Sequence, residues 1–121
     1  MSGAFQIQLF TQSANAAVGW RMLSGNNREA GRGVDRFADE SRCRSAVAML
    51  QADTMSLYPR VRRSTSRLWT WEIQVDGRLI ATAPHAFDRM IRCEQSAAQF
   101  LTNFARAGVG LALVHAGSRR R

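Results

Sequence analysis

Along residues 69–76 the chain alternates strictly: Trp69, Trp71, Ile73 and Val75 are separated by Thr70, Glu72, Gln74 and Asp76. A period of two predicts a strand with one dry face and one wet face. Phe5, Ile7 and Leu9, spaced by Gln6 and Gln8, predict a second strand of the same kind. Elsewhere the period changes to that of a helix. Cys43, Ala46, Val47 and Leu50 form one stripe, and Cys93, Ala97, Phe100, Leu101 and Phe104 form another. Asp39 and Asp88 stand near the two helix starts as caps, and Gly108 and Gly110 mark the second stop. Asp76-Gly77 predicts a tight hairpin, with Gly25-Asn26-Asn27 as its looser counterpart. After these turns Leu79–Thr82 reads as a strand, and Glu29–Val34, carrying two glycines, as a poorer one.

These elements occur twice. Trp20 and Trp71 are 51 residues apart, whereas Phe37 and Phe87, and Cys43 and Cys93, are each 50 apart. Each half therefore reads strand, strand, strand, helix. The weak member is the first strand of the second half, where Val61 sits among arginines. About fifty residues is marginal for an independent core, so the halves must share one. The predicted fold is α+β: two tandem β-β-β-α repeats, about 4–55 and 57–107, in one antiparallel sheet. Both helices then pack on the face that carries Trp20 and Trp71, and a tail, 108–121, lies beyond the repeat. On this arrangement Gln6, Gln8, Arg21, Thr70, Glu72 and Gln74 line the other face, and Phe10 is the one aromatic that could join them.

The tryptophan strand, the polar turn, the aromatic and the cysteine helix, twice in register over roughly residues 5–104, resemble the YegP-like family of small bacterial proteins of unknown function. The resemblance implies a sheet of joined three-strand-plus-helix units. It brings no catalytic or binding residues with it. Asn27 stands in place of the usual turn glycine, and the loop from Thr11 to Gly19 is long.

Composition adds a charge asymmetry. All 17 basic residues are arginine, against nine acids, for a net charge of +8. Eighteen alanines accompany them, so arginine in place of lysine reads as codon bias; the excess of cations over anions does not. Residues 56–121 hold eleven arginines and four acids, seven of the eight net charges. Arg60, Arg62, Arg63 and Arg67 form one cluster, and Arg119, Arg120 and Arg121 form another. Such runs are ordinarily solvated, and they also suit a nucleic-acid backbone or another polyanion.

The chain lacks a signal-like start and any apolar stretch that could span a bilayer, so a cytoplasmic protein with reduced thiols is expected. Cys43 and Cys93 recur at one helix position and read as core residues. A nucleophilic Cys93 assisted by His85 is the remote enzymatic alternative. Two His and two Cys without ligand spacing make no zinc site, and no phosphate loop or nucleophile elbow is present. No cofactor is expected. The tail, with Val109–Val114 apolar, reads as an edge strand or a disordered tail; an unpaired edge would suit a homodimer. The leading expectation is a non-enzymatic binding module with an anionic partner on the arginine clusters. The alternative is a structural or homodimerising protein without a ligand.

Overall fold

The computed structural model describes residues 4–12, 17–65 and 67–115. Three strands, β1 (Gln6–Thr11), β2 (Gly19–Leu23) and β3 (Glu29–Gly33), lead into helix α1 (Glu40–Ala52). A short 3₁₀ turn, Thr54–Ser56, precedes β4 (Tyr58–Arg63), β5 (Trp69–Val75) and β6 (Arg78–Thr82), which lead into α2 (Met90–Phe104) and a final strand β7 (Gly108–His115). All seven strands belong to one sheet, ordered β4-β5-β6-β3-β2-β1-β7. The two turns take the left-handed backbone their residues suit: Asn27 has φ 65°, Asp76 52° and Gly77 79°.

One apolar cluster holds the molecule together. Trp20, Trp71, Ile7, Leu9, Met22 and Ile73 meet Cys43 and Val47 of α1, and Cys93, Phe100 and Phe104 of α2. Both helices therefore lie on the tryptophan side of the sheet. The rings interlock, with Trp71 and Phe100 centroids 5.0 Å apart and those of Trp20 and Phe104 5.3 Å apart. The Trp71 indole also donates to Ser96 Oγ at 2.9 Å. Gly31 is small by necessity, since a Cβ there would lie 2.6 Å from Phe100 Cδ1 and 2.9 Å from Trp71 Cη2. Phe37 bridges to Val18, and Phe87 to Trp69, which pins the chain leading into each helix against its tryptophan strand. Trp69 is partly buried against the core.

Three expectations need correction. The sheet is mixed, because β7 runs parallel to β1 while the other pairings are antiparallel. Gly108 and Gly110 belong to that strand rather than to the helix stop, which is at Ala105. The backbone turns toward β1 there while Gln51 of α1 donates to the carbonyls of Phe104, at 2.9 Å, and Ala107, at 2.8 Å. Asp88 is not the cap of α2. The capping position is Arg89, whose side chain makes no cap bond, whereas Asp39 of α1 accepts from the Arg42 N–H at 2.8 Å. The bonds from Cys43 N to Asp39 O and from Cys93 N to Arg89 O put both helices in the same register, one residue beyond Asp88.

Candidate functional site

Pairing across the sheet sets one row of side chains on the face away from the helices. Arg60 opposes Glu72, Glu72 opposes Thr82, Thr82 opposes Arg32, Arg32 opposes Arg21, and Arg21 opposes Gln8. Six strands thus contribute one polar residue each. Alternation guarantees that all point the same way, because their neighbours Trp71, Ile73, Ala81, Gly31, Met22, Ile7 and Leu9 face the core.

At one end of the row three guanidinium groups gather on a single ring. The carbons of Arg21 and Arg36 each lie 5.2 Å from the Phe10 centroid, and that of Arg32 lies 6.0 Å away. Phe10 is 2% exposed, so these cations roof it rather than leaving it open to a ligand. Gly19, opposite Phe10 in the pairing, admits Arg36: a Cβ at Gly19 would sit 2.9 Å from its Nη1. The ring quadrupole attracts each cation by about 0.5–1 kcal/mol at such sites, while the cations repel one another.

One carboxylate relieves the repulsion in part. Glu29 accepts two bonds from Arg32, both 2.7 Å, and lies 3.8 Å from Arg21. Glu29 holds the Arg32 proton more firmly than usual, chiefly through that hydrogen bond. Arg21 also donates to Gln8 Oε1 at 2.8 Å. Arg36 donates only to the carbonyls of Asp35, at 3.2 Å, and Gly33, at 3.4 Å, and makes no ion pair among the described residues. The cluster therefore keeps an excess of positive charge, with Arg21 and Arg32 partly exposed and Arg36 exposed. It can hold an oxyanion by charge-assisted hydrogen bonds.

The arginines singled out from sequence are dispersed by the strand. Arg60 and Arg62 lie on the open face of β4, where Arg62 donates to Glu72 at 2.9 Å. Arg63 points the other way, its guanidinium 5.2 Å above the Trp69 ring. Arg67 is exposed in the β4–β5 turn. Arg119, Arg120 and Arg121 lie outside the described residues. Sequence reading did not pick out Arg32, Arg36 or Tyr58. The open-face alternation of β4 was the available signal for Tyr58, and Pro59 and the arginines masked it.

Both thiols face the core. Burial pushes the Cys43 thiol up to about 11, against a partial pull downward from Arg44 and Arg36. Burial likewise pushes Cys93 up. A raised thiol pKa opposes thiolate formation. His85 packs on Phe87 with centroids 4.4 Å apart, and its Nδ1 lies 2.9 Å from the Ala86 carbonyl oxygen. It helps line an open groove of about 840 Å³ with Leu68, Asp88, Arg92 and Ser96, on the α2 side of the molecule, away from the guanidinium row. Among the described residues no three His, Cys, Asp or Glu side chains gather as a metal would need, and no helix there is long and apolar enough to cross a membrane.

No family model matches this sequence, and no curated protein matches it. Two solved structures share its fold. The solution structure of YegP from E. coli, a protein of unknown function, superposes with a TM-score of 0.70 at 10% identity, covering 98% of this chain and 99% of that one. A UPF0339 protein from Shewanella oneidensis gives 0.69 at 10% identity, covering 99% of this chain and all of the other. The structural neighbours are thus of the kind the sequence resemblance pointed to, and neither carries an assigned activity.

Proposed function

We propose that this chain is a non-catalytic binding module that holds phosphate-bearing polymers against the open face of its sheet. The observation that carries the reading is the gathering of Arg21, Arg32 and Arg36 on Phe10 with only Glu29 among them. Beyond Thr82 and Glu72, β4 adds Arg60 and Arg62 at the far side of the row, Arg62 being paired with Glu72. A linear polyanion laid across the strands meets cations at both ends of the row, and contacts of this type favour phosphate over sequence. Arg63, Arg67 and the terminal Arg119, Arg120 and Arg121 raise the local concentration of such a partner without shaping a site. In this reading the protein works in the cytoplasm. Its two halves are tandem β-β-β-α repeats, for which the matched bridges of Phe37 and Phe87 are the support.

Anisotropy of a labelled oligonucleotide, titrated at low and moderate salt, tests the proposal. Affinity is expected to fall steeply with salt, and Arg36→Gln or Arg60→Gln to lower the slope of log K against log salt by about one each. Absence of binding at low salt would overturn it.

A second reading, self-association, rests on β7: it lies at the end of the strand order, and Leu111 on it is 92% exposed. Sedimentation over a range of concentrations separates the two, since a strict monomer removes this one.

A further inference from the structure

We infer that the polymer taken by the open face is a single-stranded nucleic acid, with one base stacked on Tyr58. The inference rests on the proposed reading of that face and makes it specific. Tyr58 opens β4 opposite Gln74, on the same side as Arg60 and Arg62. It is 65% exposed, so most of its surface is available to a ligand. Successive same-face residues along a strand are about 6.8 Å apart, so Tyr58 and Arg60 occupy neighbouring places on this face. Arg60 makes no ion pair among the described residues. A ring with an unengaged cation next to it is the pairing that stacks a base and holds its phosphate.

Shape argues in the same direction. A duplex is read by an element slender enough to enter a groove, such as a helix or a two-stranded ribbon. Six paired strands span about 24 Å at the usual spacing, a broad surface that suits unpaired bases laid across it. In a duplex the base faces are occupied by their neighbours, so Tyr58 has nothing to stack on. Pro59 removes a backbone donor from this edge strand. That makes β4 a poor template for a further strand. Fully buried Phe10 is excluded from stacking, which makes Tyr58 the aromatic of this face that a base can reach.

The test compares a single-stranded oligonucleotide, the same sequence as a duplex, and inorganic polyphosphate, each with the wild-type chain, Tyr58→Ala and Tyr58→Phe. Tyr58→Ala is expected to weaken single-strand binding about 5- to 100-fold and to leave polyphosphate binding and the thermal midpoint unchanged. Tyr58→Phe keeps the ring and should retain single-strand affinity. If Tyr58→Ala binds the single strand as wild type does, or if the duplex binds as tightly as the single strand, the inference is overturned while the open-face reading stands. If none of the three ligands binds at low salt, both fall.

Discussion

A methyl group added at Gly31 would have to share space with Phe100 and Trp71, which interlock at 5.0 Å across the middle of the core. Phe100 is backed by Phe104 at 5.4 Å, and the Trp71 indole is held by its bond to Ser96. Gly31→Ala is therefore expected to destabilise the fold by about 1–3 kcal/mol, the usual cost of overpacking, as read from urea unfolding. Cys43 carries a pH signature. Its folded pKa, about 11, lies above the ordinary value of 9.0, so the unfolded chain releases this proton first as pH rises. The stabilising effect of the buried neutral thiol is fully present below about pH 9 and is lost as pH climbs toward 11. Unfolding midpoints measured across this interval should fall for the wild type, and Cys43→Ala should remove that part of the fall. The indoles and thiols were legible in the sequence because they recur in register. The guanidinium cluster was not, since residues 21, 32 and 36 come from two strands and the connection after them, and only the β2–β3 hairpin brings them over Phe10.

The two helices differ at their starts in a way that unfolding can measure. Asp39 caps α1 through the Arg42 N–H, while the extended residue at the same position of α2 is Arg89, a cationic residue at the positive end of the helix that makes no side-chain cap bond. Asp39→Ala should cost about 1 kcal/mol, and Arg89→Asp should gain about 0.5–1 kcal/mol, each read from the thermal midpoint. Composition around Asp88 suggested a cap one residue early; the register of Phe87 and Cys93 decides the matter. Strands with strict alternation, β1 and β5, were legible directly. At β4 only Val61 shows an inward apolar side chain beside Pro59, which is what an edge strand with one covered side requires. For β7 the apolar run names no partner. Its parallel pairing with β1 involves a register shift between Ile7 and Leu9, a long-range choice that local pattern does not encode.

At the scale of the whole molecule, two groups of strands meet where β3 pairs with β6 through Arg32↔Thr82 and Gly33↔Ala81, with the Val34 N–H donating to the Ile80 carbonyl at 3.0 Å just beyond. The shared core spans this join, with Trp20 and Trp71 both against Phe100. Burying the indoles and thiols on one side leaves the guanidinium groups of Arg21, Arg32, Arg36, Arg60 and Arg62 for the other, with Glu29 and Glu72 as their carboxylates. Charge counting along the chain located the excess in the second half. Folding redistributes it, because the sheet joins arginines of both halves on one surface. Backbone amide shifts of isotope-labelled protein, followed while a single-stranded oligonucleotide is added at low salt, test this placement most directly. Movement is expected at Tyr58, Arg60, Arg62, Arg21, Arg32 and Arg36, with the α2 groove of His85 and Arg92 unmoved. Shifts confined to that groove, or no shifts anywhere, would contradict it.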